Sequence, residues 1–386
     1  MKRTWRPMGL TVALAAALSF ATGSPARAIV VSDEPNDHVV LAPADYDRVG
    51  LLLWQGSPGS TAVLIDPWHI LTARHAIGPG GLSDHEFELH LADGTHVYQI
   101  AARSLHPTID IAVARLDRSA GLPGYGLYRQ SSEVNEEAVL VGYGVSGTGL
   151  TGPDDANYPR GTKRFGYNRI DAIGTDGSGY FLVTDFDGPN APGPYGPGTL
   201  GADKEVMPAA GDSGGPTFVD DGGDLLVAGV HVGLSDENGS GTCPDFGDVN
   251  FDVRISEYTA WIDAQIPEYK TLTLNVKNGT RDHVGIEPQP TDRNQPEFPA
   301  GIEVVLTADP NGDKVWSRWK VFDPNHPDDA NYIATDTNAV LYLTMDADWR
   351  VKAIFKCGSG LGVLGPVVVI GIPICGFAAR RASHRR

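Results

Sequence analysis

Short β-forming runs recur along this chain, each closed by a cluster of Gly, Pro, Asp or Asn. They cover residues 49–54, 61–65, 86–91, 111–116, 138–143, 180–184 and 225–232. Runs this short and this regularly punctuated predict an all-β barrel or sandwich and exclude a helical bundle. With 47 Gly and 28 Pro in 386 residues, the chain has the turn formers such a fold needs. One stretch departs from the pattern. Residues 258–265 (YTAWIDAQ) carry apolar side chains at helical spacing and are stopped by Pro267, which predicts a short closing helix at a domain end. A second β set follows at 271–276, 284–287, 302–308, 315–322, 340–345 and 349–355, with clear alternation in TLTLNV and VKAIF. Trp316 and Trp319 within it are expected to pack and not to form a ligand platform.

Both ends of the chain differ from its middle. Lys2, Arg3 and Arg6 precede an apolar run at 9–20, and Ala26-Arg27-Ala28 offers a small-x-small cleavage site. These are the three parts of a secretory signal peptide over residues 1–28; an uncleaved anchor is the alternative. At the other end, residues 361–379 carry no charge and are followed by Arg380, Arg381, Arg385 and Arg386. That length is close to a membrane span, and the arginines put the body on the outer side. Removing the eight basic residues of the two ends leaves 22 basic against 48 acidic side chains in between. A body so acidic excludes nucleic acid as a partner, because that affinity comes from phosphate neutralisation.

Three cysteines, Cys243, Cys357 and Cys375, make neither a disulfide framework nor a C-x-x-C zinc site. No cofactor is expected. Asp154, Asp155, Asp185 and Asp187 sit in long Gly/Pro-rich stretches (146–166 and 185–204) and offer calcium as an alternative reading, but no EF-hand pattern is present, and solvated acidic loops are the simpler expectation.

Three motifs carry chemistry, in the order WHILTARHA (68–76), DIAVARL (110–116) and GDSGGP (211–216). A serine hydroxyl is a weak nucleophile until a base takes its proton, and histidine is the natural base near neutrality. A carboxylate fixes the tautomer of that base and stabilises its cation. Glycines beside the serine let the backbone turn sharply and aim N–H groups at one point.

These segments resemble the trypsin/chymotrypsin family of serine endopeptidases. LTARHA matches the family's Thr-Ala-Ala-His-Cys segment, DIAVARL its Asp-Ile-Ala-Leu segment and GDSGGP its nucleophile loop. Residues 141–144 (VGYG) and 258–262 (YTAWI) are weaker echoes of the start of the second barrel and of the terminal helix. The resemblance implies two six-stranded antiparallel β-barrels with a short C-terminal helix over residues 29–267. It implies His75 as general base, Asp110 as its orienter, Ser213 as nucleophile, and the amides of Gly211 and Ser213 as oxyanion hole. It also implies that Asp212 pairs with a new N-terminus at Ile29, which signal cleavage after Ala28 would free. By the same matching, Met207, Val232 and Gly233 line the specificity pocket and favour medium apolar side chains; a loop shift would bring in Glu205 instead. Ala76 and Ala209 stand where the family often has cysteines, and Arg74 beside the base is unusual and is expected to face solvent.

Residues 270–356 resemble the divergent internalin B-type repeat of bacterial surface proteins, and 357–386 resemble a C-terminal surface-sorting tail ending in a transmembrane segment. The expectation is a serine endopeptidase acting on proteins or peptides, exported and held at the cell surface by its tail, with a surface partner for residues 270–356. A catalytically silent homologue acting as a surface binding protein is the alternative.

Overall fold

A computed structural model describes residues 29–32, 45–78, 80–189, 192–196, 200, 204–311, 314–323 and 332–357. Residues 1–28, read as a signal peptide, and nearly all of 357–386, read as a sorting tail, lie outside the described residues. Among the described residues no helix is long and apolar enough to cross a membrane. The chain divides into two compact units. One runs to Thr271 and adds Glu287–Val304 and Thr344–Ala347; the other comprises Leu272–Ile286, Val305–Leu343 and the residues from Asp348 onward.

The first unit contains one closed barrel. Its strands follow the order Val49–Trp54, Ser57–Asp66, His69–Thr72, Ala112–Leu116, Gly94–Leu105 and His85–Leu91, and the last pairs back onto the first. The run VGLLLW explains why its first strand sits centrally. Successive side chains point to opposite faces. Leu52 packs inward with Ala62, Leu64, Ile70, Phe87, Leu89 and Ile100. Val49, Leu51 and Leu53 point the other way, into a cluster with Val141, Tyr143, Phe218 and Val230 from the following sheet. With both faces buried, the strand reads as a continuous apolar run.

That second sheet runs Arg164–Arg169, Glu137–Gly142, Pro216–Asp221, Asp224–Ser235, Val249–Arg254, Tyr180–Asp185 and Ala172–Thr175, with Gly126–Leu127 added beside Asp224–Ser235. Two six-stranded barrels were expected; among the described residues this sheet follows an open hydrogen-bonded path. The short strand Val30–Val31 lies between Gly147–Thr148 and Val206–Met207. The expected closing helix is Thr259–Gln265, which buries Ile262 and ends ahead of Pro267.

In the second unit, Lys314–Phe322 pairs with Trp349–Cys357 on one side and Tyr332–Asp336 on the other, and the chain from Leu272 runs parallel to Trp349–Cys357. Leu272, Leu274, Trp319, Val351, Ala353 and Phe355 are buried. Trp319 is fully enclosed and meets Trp316 in a tilted contact with ring centroids 4.6 Å apart, so both pack as expected.

Candidate active site

Two neighbouring barrel strands bring His75 and Asp110 together. Thr72, at the end of His69–Thr72, pairs with Ala112, at the start of Ala112–Leu116. His75 lies three residues beyond the first, on the one-turn helix Arg74–Ile77, and Asp110 two residues before the second. Each therefore leaves the barrel on the same rung. Asp110 Oδ2 meets His75 Nδ1 at 2.6 Å, and Asp110 Oδ1 accepts the His75 amide at 2.8 Å. With an acceptor on Nδ1, the ring's hydrogen is held there and Nε2 is left free to take a proton. Burial pushes the Asp110 carboxyl up, but the His75 ring and the amides of His75 and Arg74 together hold it below the usual carboxylate range.

Arg74 does not simply face solvent. Its guanidinium donates to the carbonyls of His106 and Pro107 at 3.0 and 3.1 Å, fixing the loop that delivers Asp110. The histidine and the carboxylate open onto a groove of about 440 Å³ lined by Arg74, His75, Gly78, Leu105, Thr108, Ile109 and Asp110.

The loop at 211–216 is fastened to the barrel strands that include the one leading to His75. Thr61 donates its amide to Ser213 O at 3.0 Å and its hydroxyl to Gly211 O at 3.1 Å, while Thr72 Oγ1 donates to Thr61 O at 2.8 Å. Gly214, at φ +86°, approaches so closely that a Cβ there would stand 2.0 Å from Thr72 Oγ1 and 2.9 Å from Ala73 N. Ser213, half-buried, is thus held against the strand that leads into His75. Gly211 has φ +98°. Among the described residues the amides of Gly211 and Ser213 donate to no protein acceptor, as an oxyanion hole requires.

Asp212 points the opposite way, into the core. Its Oδ2 accepts Ile29 N at 3.1 Å and Ala209 N at 2.8 Å, and its Oδ1 accepts Gly144 N at 2.7 Å. Burial pushes this carboxyl up against the pull of those amides. Of the three residues read as specificity pocket, Met207 is fully buried with Val30, Phe186, Ala209 and Phe246. Val232 is half-buried, and Gly233 faces open space.

The match to a family is extensive. Residues 45–262 match the Trypsin family. The chain belongs to the trypsin family. Among solved structures, the trypsin-family chain is similar to neuropsin, a serine protease expressed in the limbic system of mouse brain, at 20% identity. That alignment covers 59% of this chain and 98% of neuropsin, with a TM-score of 0.44. A comparison with curated proteins gives no match. The trypsin-family assignment makes this a serine protease in fold and class.

Two features of the trypsin-family domain go beyond the sequence reading. The first is a carboxylate cluster. Asp185, Asp187 and Glu205 bring ligand oxygens within 4.8 Å of one another, and all three are buried, whereas Asp185 and Asp187 were expected in solvated loops. Asp171 Oδ2 accepts the Asp185 amide at 2.9 Å. Burial pushes Asp171 and Glu205 up to about 7. An all-oxygen, like-charged set of this kind suits a hard divalent cation such as calcium. Asp154 does not join it; it is half-buried and accepts from Asn157. The second feature is a buried His231–Asp252 pair directly behind the nucleophile loop, with Nδ1 to Oδ1 at 2.8 Å. No motif flags it, because the two residues are 21 apart and meet only across paired strands.

Proposed function

We propose that the protein is an exported serine endopeptidase. Ser213 attacks the scissile carbonyl, His75 takes its proton and later gives it to the leaving amine, and Asp110 holds the imidazole and balances its charge. The amides of Gly211 and Ser213 stabilise the tetrahedral oxyanion before the acyl-enzyme forms; water then repeats the sequence and releases the acid product. The observation that carries this reading is the His75–Asp110 bond at 2.6 Å, with the Ser213 loop locked by Gly214 onto the strand that supplies His75. The groove beside His75 is the natural place for an extended substrate.

Export follows from residues 1–28 read as a signal peptide. Cleavage after Ala28 leaves Ile29 as the new N-terminus, so signal peptidase itself matures the enzyme. A buried carboxylate supported only by amides is costly, and an ammonium at Ile29 N is the charge that compensates it. Residues 357–386 hold the protein at the cell surface, retained or after processing, and residues 270–356 engage a surface partner.

The test is labelling with a fluorophosphonate probe. The purified protein is expected to take up the probe at Ser213, and Ser213→Ala to take up none. Folded protein that stays unlabelled would make the chain a silent homologue that binds without cutting.

A further inference from the structure

We propose that His106 is a positioning residue for the reaction: it sets the loop 106–111 that presents Asp110 to His75, and it does so only as a neutral imidazole with a bare Nδ1. The proposal rests on the endopeptidase reading above, in which Asp110 orients the base.

The backbone comes first. Asp110 stands two residues ahead of the strand Ala112–Leu116, on no regular element, so the loop decides where its carboxylate lies. Three polar groups of His106 hold that loop. Its amide donates to Ile111 O at 3.0 Å and ties the two ends together. Its carbonyl accepts from Arg74 at 3.0 Å, and Arg74 also reaches Pro107 O. Its ring Nδ1 accepts the amides of Thr108 and Ile109 at 3.3 and 3.1 Å. Ile109 is buried in the core, and Asp110 comes next, with Oδ2 2.6 Å from His75 Nδ1. The amide caught by the ring thus belongs to the residue directly before the carboxylate.

The closing helix fixes the ring from the other side. Tyr258, at the N-terminal end of that helix, and Trp261 within it meet the imidazole edge to face, with centroids 5.4 and 4.8 Å away. Tyr258 is itself held, its hydroxyl accepting Tyr180 N at 3.1 Å. A phenylalanine at 106 would fill this space but leave two amides without an acceptor, which is costly where the chain turns into the core. An asparagine would accept the amides, since its side-chain oxygen readily takes the N–H two residues on, but would not fill the space against Trp261. Histidine does both.

The charge state follows. Nδ1 accepts only while it carries no hydrogen. A protonated ring would aim a donor at two donors and add a positive charge near Arg74. The titratable groups facing the ring are Arg74 and Tyr258. Glu257 and Asp263, beside and within the closing helix, pair with Arg254 and Arg129 instead. Burial, and then Arg74, hold the imidazole below the ordinary histidine range. The ring therefore binds a proton more readily with the loop released, and acid favours release. The loop holds above the ordinary histidine value of about 6.5 and lets go as pH falls below it. Release takes Asp110 from His75, and the base loses the group that orients it.

The experiment measures kcat/KM against pH on one fluorogenic peptide, with fluorophosphonate labelling, for wild type, His106→Phe and His106→Asn. If His75 alone must lose a proton, log(kcat/KM) falls on the acid side with a slope of one. With His106 also required bare, the wild-type limb is expected to steepen to a slope of two below the ordinary histidine range. His106→Phe is expected to lower kcat and the labelling rate by about 10–100-fold near neutrality, as two orphaned amides allow. His106→Asn is expected to recover most of that loss and to keep a slope of one throughout. A wild-type slope of one, or an Asn variant that retains a slope of two, overturns the proposal, while labelled enzyme leaves the endopeptidase reading standing. Equal losses in the two variants would make His106 merely a packing residue and overturn it too. Enzyme that neither labels nor cuts removes both readings. If neither variant folds, the wild-type limb decides.

Discussion

Adding a single residue ahead of Ile29 isolates the link between export and activity. Ile29 is fully buried, and its nitrogen sits 3.1 Å from Asp212 Oδ2. While a residue precedes it, that nitrogen is a neutral amide, and Ile29 is held at φ +57°. A β-branched residue in the left-handed region carries strain of about 1–3 kcal/mol. Cleavage at the preceding bond removes the atom that defines φ, so the strain vanishes, and the amide becomes an ammonium facing a sealed carboxylate. Leaving a buried charge without its partner costs about 3–5 kcal/mol. The two contributions share one site and do not simply add; the larger alone corresponds to roughly 10²–10⁴-fold at about 1.4 kcal/mol per decade. Asp212 lies between Gly211 and Ser213, so the same loop that receives the ammonium carries the oxyanion amides. The assay compares two preparations released from a fusion partner, one beginning at Ile29 and one with an extra Ala, their ends verified by mass. The extended form is expected to react with the fluorophosphonate at least about 10²-fold more slowly. Equal reaction rates would refute the argument that a freed Ile29 organises the loop.

Asp110→Asn should leave the fold intact and lower kcat by about 10⁴-fold, because the amide would favour the wrong imidazole tautomer; steady-state kinetics on any cleaved peptide checks this. Gly214→Ala should destabilise the protein by at least about 2 kcal/mol in urea unfolding, since a Cβ would stand 2.0 Å from Thr72 Oγ1 and 2.2 Å from Thr61 O at a positive φ; an unchanged midpoint would mean that the loop does not sit on the barrel this way. Asp171 and Glu205 are pushed up to about 7 by burial, so the folded state binds protons there that the unfolded chain releases near pH 4. Their stabilising contribution is present below that point and lost as pH rises through about 7. In chelator, the urea midpoint should fall between pH 5 and 8; added calcium should restore it at pH 8, and Glu205→Gln should flatten the profile.

Local sequence carried much of this fold, and the reason is periodicity. VGLLLW, HILT and AVARL each declare a strand, and Pro267 closes a helix that YTAWIDAQ opens, because these signals depend only on near neighbours. The carboxylate and imidazole of Asp110 and His75 were legible because each stands beside a strand with a recognisable pattern. What stayed hidden lives between strands. Asp185 and Asp187 read as loop acids, yet they are buried beside Glu205, some twenty residues on. His231 reads as one polar residue in VAGVHVG, and nothing local announces that Asp252 waits across the sheet. Closure of a sheet is likewise a property of register summed over many strands; among the described residues one barrel closes and the second sheet has an open hydrogen-bonded path.

The polar residues buried around Ser213 form two separate fastenings with different consequences. On the barrel side, Thr61 holds the carbonyls of Gly211 and Ser213, Thr72 braces Thr61 through its carbonyl, and Gly214 packs closely against both. These bonds need nothing beyond the folded barrel and exist before any maturation. On the core side, Asp212 draws on Gly144, Ala209 and Ile29, which flank the strands Glu137–Gly142, Val206–Met207 and Val30–Val31 of two different sheets. Only this second set changes when the chain is cut ahead of Ile29. The loop that carries Ser213 can therefore be in place beside His75 while the orientation of the Gly211 and Ser213 amides still depends on the cut. Substrate binding through the groove should survive in the extended form, and the loss should fall on kcat, because oxyanion stabilisation acts on the transition state and not on the ground state.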